Sequence, residues 1–272
     1  MPELPEVETT RRGIEPHVVG MKVGEVIVKR FDLRQPISPG ISTLEGRRTL
    51  AVKRRSKYLL LEMDDGNTLL IHLGMSGSLR VVALEAEWKK HDHFAMTFEN
   101  GMQLRFHDPR RFGLVLLLAE KNPHEHTLLC ALGPEPLEDG FTEHHLRTAC
   151  RKRSAAIKLV IMDAKVVVGV GNIYASEALF RAGIRPQIQS NKLSKNRLGK
   201  LVNAIREVLH ASIIEGGTTL RDFLNSDGEP GYFKQRLFVY DRKGEPCRIC
   251  GTLIQHAVLG QRSTYWCPQC QK

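Results

Sequence analysis

The spacing of apolar residues changes once along this chain of 272 residues, and the change divides it in two. In VGEVIVKR, RTLAVKRRSKYLLLEM, TLLIHLGMSGSLRVV, HFAMTFENGMQLRFHD and FGLVLLL, β-branched and Leu-rich runs are separated by turn residues such as Asp65-Gly66 and Asn100-Gly101. Several of these runs alternate with a period of two, which predicts strands burying one face in a β-sandwich or barrel. After that the period is helical. Helices are expected over Thr142–Cys150, Ser154–Met162, Ile173–Ala182 and Leu193–Ile214, with Gly183 and Pro186 stopping the third. Between the two halves LGPEPLEDG, residues 132–140, carries two prolines and two glycines and reads as a linker. GGTTLRDFLNSDGEPGYF, following Ile214, reads as a mobile loop around a short helix. The expected class is α+β and multidomain: a β-sandwich with an opening helix over 1–131, the linker, a helical domain over 141–233, and a terminal segment over 234–272.

That terminal segment holds four of the six cysteines, as Cys247-x2-Cys250, sixteen residues, then Cys267-x2-Cys270. Paired arms at this spacing match a tetrahedral four-thiolate zinc site closing a β-hairpin ribbon. Disulfides are the alternative, though a cytosolic chain of this length has little need of them. Four protein ligands leave no open coordination position, so the expected cofactor is one structural Zn2+. Cys130 and Cys150 are expected to be ordinary buried thiols. The ribbon's GQRSTYWC places Arg262 near a hairpin tip, where it is either a solvated surface group or a rigid grip on a phosphate.

Composition narrows the partners. A formal charge of +10 points toward a polyanion, with a generically basic enzyme as the alternative, and the commonest soluble polyanion is nucleic acid. The charge is clustered at Lys53, Arg54, Arg55 and Lys57, at Arg110 and Arg111, and at Arg151, Lys152 and Arg153. No apolar run approaches the ~20 residues of a membrane span, and the acidic N-terminus lacks a signal-peptide pattern, so the expected location is cytoplasmic and, for a DNA-binding chain, nucleoid-associated. A hydrophobic share of 42% suits a globular chain and excludes disorder as a class.

Two local features carry chemistry. In VVVGVGNIYASEALF, Gly169 and Gly171 permit a tight turn, Asn172 is a suitable N-cap, and the helix start offers N–H groups to an anion. A dinucleotide fingerprint fits poorly there, because the third glycine and a βαβ unit are missing. At the N-terminus, MPELPEVETT leaves two readings of Pro2: a rigid helix start beside Glu3 and Glu6, or a secondary amine exposed by removal of Met1.

Taken together, PELPEVET, RRSKYLLLE, HLGMSGSLR, KHDH, DPRRFG, LGPEPL, MDAKVVVGVGNIYASEALF, GGTTLRDF, SDGEPGYF and the terminal ribbon closely resemble the bacterial formamidopyrimidine-DNA glycosylases, in order and over essentially the whole length. The segments Leu84–Trp88 and Lys121–Thr127 are individual to this chain. The resemblance implies a helix-two-turn-helix form for the helical domain. It also implies a base-excision repair enzyme, glycosylase and abasic-site lyase, acting on double-stranded DNA that carries oxidised purines or abasic sites; a monomer is the simplest assumption. The sister family of endonuclease VIII, acting on oxidised pyrimidines, and a non-catalytic zinc-ribbon DNA-binding protein remain as alternatives.

By the same resemblance, the Pro2 amine attacks C1′ of the damaged nucleotide and Glu3 donates a proton, with Glu6 as a structural and electrostatic partner. Lys57 assists β-elimination, and Arg262 holds a phosphate with a share in δ-elimination. Met75, Arg110 and Phe112 fill the gap left by the extruded nucleotide, although Met75 and Phe112 by themselves read more readily as core residues. His91, Arg110, Arg153, Asn172, His72 and Tyr240 bind the DNA backbone, while Lys158 and Glu177 line the region near the lesion.

The choice of amine has a physical basis. A model α-amine has pKa near 8, so about a quarter of it is neutral at pH ~7.5, against about 0.1% of a lysine. A proline adduct with an aldehyde carbon is necessarily an iminium cation, an electron sink that needs no retained proton.

Overall fold

The structure, a computed structural model, describes residues 2–217 and 237–272. Most of the expected mobile loop therefore lies outside the described residues. The chain forms two compact units: one holds the residues up to Cys130 and is rejoined at Glu215, and the other holds Ala131–Ile214 with the C-terminal segment.

The first unit opens with α1, Leu4–Val18. Glu3 is its N-cap and forms a capping box with Glu6, while Pro5 occupies the first turn. Pro2 therefore does not begin the helix; it stands one residue before the cap. Leu4, Val7, Ile14 and Val18 give the helix its buried stripe.

Eight strands follow: β1 Val23–Val28, β2 Thr49–Arg55, β3 Tyr58–Met63, β4 Thr68–His72, β5 Ser78–Ala83, β6 Asp92–Phe98, β7 Met102–His107 and β8 Leu114–Leu118. They form two antiparallel sheets, ordered β1-β6-β7-β5 and β2-β3-β4-β8. Leu59, Leu61, Leu69 and Ile71 of one sheet share a core with Phe94, Met96, Leu104 and Phe106 of the other, and Val7 and Ile14 of α1 join it. Burial of a Leu or Phe side chain contributes roughly 1.5–3 kcal/mol, so this shared face is what holds the two sheets as a sandwich.

The second unit contains α2 Glu143–Arg151, α3 Ile157–Ile161, α4 Asn172–Arg181 and α5 Lys195–Ile214, then the hairpin β9 Gln255–Leu259 with β10 Arg262–Trp266. Thr142 caps α2 by accepting from the His145 N–H at 3.1 Å. Two expectations are corrected here. The helix expected from Ser154 starts only at Ile157, because the backbone before it pairs elsewhere: Ala156 bridges Gln189, and the Ala155 carbonyl accepts from Ser190 N–H at 2.9 Å. The N-cap of α4 is Gly171 and not Asn172, whose side chain is engaged by Lys158.

Cys150 is buried as expected, but Cys130 is exposed. Leu129, 2% exposed, takes the inward position beside it. LGPEPLEDG lies along the second unit, with Arg206 donating to the carbonyls of Pro136, Glu138 and Phe141 at 2.8–3.1 Å. No described helix is long and apolar enough to cross a membrane.

Candidate active site and nucleic-acid interface

In the first unit, Pro2 is buried, as are Glu3 at 3% and Glu6 at 2% exposure. The Glu6 carboxylate accepts the Glu3 N–H at 2.8 Å, and that N–H belongs to the peptide leaving Pro2. Glu6 thus holds the proline's own peptide plane at the positive end of α1. Gly217, in the left-handed region at φ +87°, lies so close that a Cβ there would stand 3.2 Å from Glu6 Oε1.

Lys57 occupies a two-residue turn between β2 and β3, flanked by the pair Arg55 and Tyr58. Ser56 beside it has φ 56°, a region that costs energy for a residue with a Cβ. Arg54 secures this turn twice, donating to the Ser56 carbonyl at 3.0 Å and to Glu8 Oε2 of α1 at 3.2 Å. Glu8 also receives Arg11 and Arg12. Burial pushes the Glu8 carboxyl up, but these guanidiniums outweigh it and hold it below the usual carboxylate range. Glu8 and Arg54 lie inside PELPEVET and RRSKYLLLE, and their pairing joins α1, which follows Pro2, to the turn that carries Lys57.

His72 ends β4 with its ring centroid 5.0 Å from that of Tyr58. Burial, with the Lys57 and Arg34 cations adding to it, pushes its imidazole down to about 4. It is neutral at pH 7, and its Nδ1 accepts the Gly74 N–H at 3.0 Å, which leaves the proton on Nε2 as a donor.

The next two loops touch backbone to backbone. A Cβ on Gly74, at φ +68°, would lie 2.5 Å from the Phe112 carbonyl carbon, and one on Gly113 would lie 2.8 Å from the His72 oxygen. Buried Asp108 closes its loop by accepting Gly113 N–H at 2.8 Å. Arg111 at φ 57° turns the chain there, and the Arg110 guanidinium lies 5.1 Å from the Phe112 ring centroid. Met75 is 36% and Phe112 43% exposed, so neither is a core residue. The His91 carbonyl accepts Asp108 N–H at 2.9 Å, which ties a third loop to this pair. Gly74→Ala combines a left-handed φ with a contact to rigid backbone, and is expected to cost roughly 2–4 kcal/mol. Thermal melting checks this: a midpoint within about a degree of the parent would show that the loops need no such approach.

In the second unit, Lys158 is fully buried. Its ammonium donates to Asn172 Oδ1 at 2.6 Å, Thr264 Oγ1 at 2.8 Å and the Ser263 carbonyl at 2.9 Å, matching its three N–H groups. It therefore ties α3, the start of α4 and β10 together, one residue from Arg262. Gly260 packs the hairpin tip against α3, where a Cβ would meet Leu159 at 2.8 Å. Gly260 at φ 52° and Gln261 at φ 60° form the tight turn that precedes exposed Arg262.

Glu177 of α4 is buried and accepts the N–H groups of Phe238, Val239 and Tyr240 at 2.8–3.0 Å. Burial pushes its carboxyl up, and those three donors pull against it. The ring of Tyr240 meets that of Tyr265 edge-on at 5.2 Å. Arg153 pairs with Asp163 at 2.8 Å and remains partly exposed.

The four ribbon sulfurs all lie within 4.8 Å of one another, with individual separations of 3.5 and 3.9 Å. A tetrahedron of Zn–S bonds near 2.3 Å has edges of about 3.8 Å. Ile249 N–H donates to Cys247 Sγ and Cys270 N–H to Cys267 Sγ, both at 3.4 Å, which supports thiolate charge in the two knuckles. Burial and the neighbouring sulfurs push the Cys270 thiol up. The four sulfurs are the ligand set of one structural zinc.

Family models match the chain in three consecutive stretches: the formamidopyrimidine-DNA glycosylase N-terminal domain over residues 1–115, the H2TH domain of the same enzymes over 132–224, and a zinc finger found in FPG and IleRS over 244–272. A formamidopyrimidine-DNA glycosylase of Methylococcus capsulatus is 56% identical over all of both chains. The chain belongs to the formamidopyrimidine-DNA glycosylase family. Among solved structures it is similar to the Lactococcus lactis Fpg in complex with abasic-site DNA, with 35% identity, TM-score 0.92 and 99% of each chain covered. It is also similar to MutM in complex with DNA containing carbocyclic 8-oxo-G, with 35% identity, TM-score 0.91 and all of both chains covered.

Proposed function

We infer that this chain is a DNA-repair glycosylase with lyase activity, which removes oxidised purines from double-stranded DNA and then cuts the strand. The observation that carries the reading is the setting of the N-terminal proline, whose peptide is pinned by Glu6 at a buried helix start beside the Glu3 carboxyl. The membership of its family and the likeness to relatives bound to lesion and abasic-site DNA support the same conclusion.

In the proposed sequence, the duplex bends and the damaged nucleotide leaves the stack. Met75, Arg110 and Phe112 enter the gap; the partial exposure of both apolar side chains, on loops held together at Gly74, supports this role. The neutral Pro2 nitrogen forms a bond to C1′ as the bond from C1′ to the base breaks. Glu3 protonates O4′ as the sugar opens, leaving an iminium cation. When a base removes a C2′ proton, the C–H electron pair moves into that sink to give an enamine, which expels the 3′ phosphate with its bonding electrons, and a second elimination expels the 5′ phosphate.

Lys57 and the Nε2–H of His72 serve phosphates near the reacting sugar, as do His91, Arg153, Asn172, Tyr240 and Arg262 along the backbone. Lys158 and Glu177 serve through others, by holding Asn172, Tyr240 and the residues next to Arg262; their burial supports this assignment over direct contact with the lesion.

Cutting rates measured side by side on 8-oxoguanine opposite cytosine and on thymine glycol test the reading. Faster cutting of 8-oxoguanine is expected. Preference for thymine glycol would move the chain to the pyrimidine-specific sister activity, and no cutting of either would leave only a DNA-binding protein.

A further inference from the structure

LEAEWKKH, residues 84–91, joins β5 to β6. It is charged at both ends, with Glu85 and Glu87 before Trp88 and Lys89 and Lys90 after it. Such a loop ordinarily stays solvated and loose, yet this one is fastened from beneath by two buried charges. Arg105, 1% exposed, donates to the carbonyls of Glu87 at 2.9 Å and Ala86 at 2.7 Å, and its guanidinium lies 4.3 Å from the Trp88 ring centroid. Asp92, 2% exposed, accepts the Lys89 N–H at 2.9 Å while also holding Arg80 at 2.7 Å and His107 at 2.8 Å.

The loop is also joined to its neighbours. Lys29 Nζ lies 3.7 Å from the Trp88 ring centroid, and the N–H groups of Lys29 and Arg30 both reach the His93 carbonyl. Lys29, Lys89 and Lys90 therefore share one edge of the sandwich with His91, which the Asp108 N–H connects to the loop of Arg110 and Phe112.

The cations on this edge differ in what neutralises them. Arg30 and Arg111 both pair with Asp32, at 2.8 and 2.9 Å. Lys89 and Lys90 are exposed, and among the described residues neither forms an ion pair. The backbone that carries Lys89 is fixed by Asp92, and the Lys29 ammonium lies over the Trp88 ring of the same loop. That arrangement suits a polyanion, which gains by displacing its counterions onto sites already in place.

We propose that Lys29, Lys89 and Lys90 form a phosphate-binding edge, extending the contact with the DNA backbone beyond His91. The proposal rests on the glycosylase reading and adds a surface to it. Such contacts act equally on damaged and undamaged duplex, because phosphates carry no sequence or lesion information.

The test is the salt dependence of binding by the full zinc-loaded chain, using one duplex with a tetrahydrofuran abasic analogue and one undamaged duplex. For Lys89→Ala/Lys90→Ala, the slope of log K against log salt is expected to become shallower by about two, and for Lys29→Ala by about one, on both duplexes. On a third duplex carrying 8-oxoguanine, single-turnover excision from saturated complex is expected to match the parent. An unchanged slope would overturn the edge, as would a loss confined to the damaged duplex. Borohydride trapping of the parent on abasic DNA, run alongside, keeps the outcomes separate: a parent that does not trap defeats the glycosylase reading, whereas a parent that traps with unmoved slopes defeats only the edge.

Discussion

Borohydride added to this chain on abasic-site duplex is expected to leave a covalent protein–DNA adduct, and Pro2→Gly is expected to reduce both the adduct and base excision by 10²–10⁴-fold, on the order of what one positioned catalytic group contributes. The reasoning is local. Glycine still offers an α-amine of similar basicity, so a simple loss of nucleophile is not the cause. What changes is the constraint: the pyrrolidine ring fixes the orientation of the amine about the N–Cα bond, and the Glu3 N–H that leaves this residue is held on Glu6 at 2.8 Å, so the nitrogen and its lone pair have little freedom to miss C1′. The iminium from a secondary amine is also permanently charged, whereas glycine's imine must keep a proton to draw electrons. A chain that retains Met1 is the sharper control, since an acylated proline nitrogen has no lone pair to offer; it is expected to trap nothing. An adduct undiminished in Pro2→Gly, or formed by the Met1-retaining chain, would place the nucleophile elsewhere.

Cys247→Ser is expected to bring the zinc content from one per chain to near zero, and to weaken DNA binding by about 10–100-fold. Structural zinc in isolated fingers contributes roughly 10–16 kcal/mol of apparent folding free energy, so a ribbon with few other contacts has no folded metal-free state. Its small core of Val239, Ile254, Cys247, Cys267 and Phe180 includes two of the ligands themselves. Loss of the hairpin removes Ser263 and Thr264 from the Lys158 ammonium and releases Arg262 from its turn. One charged hydrogen bond to a phosphate contributes about 1.5–3 kcal/mol, which sets the expected range. The first unit has its own core and is expected to melt as before. Metal analysis beside a binding titration decides the matter: metal-free protein with the parent's DNA affinity would show that the ribbon is not a contact element.

The elements that were legible in the sequence share a cause. The apolar run of TLLIH, the polar–apolar alternation of QLRF and the Cys-x2-Cys arms each encode their structure over a few residues, because the interactions that form them are local or periodic. Errors came where a distant segment competes for the same backbone. Residues 154–156 have helical composition but pair with 189–190, and Asn172 has the composition of a cap but gives its side-chain oxygen to Lys158. Likewise Leu129 takes the inward position that Cys130 was expected to have.

By itself, the amino-acid sequence determined the two-part architecture, the zinc ligands and the family, since periodicity, ligand spacing and ordered motifs survive without coordinates. Only the tertiary structure decided what Asp92, Arg105, Arg54 and Lys158 do. Each is a charge removed from water, and such a charge is stable only where partners from other parts of the chain satisfy it. Lys158 finds acceptors 14, 105 and 106 residues away. Arg54 meets Glu8 across 46 residues, and Asp92 meets Arg80 across 12. No local pattern contains those distances, because they exist only after the sheets and helices have packed.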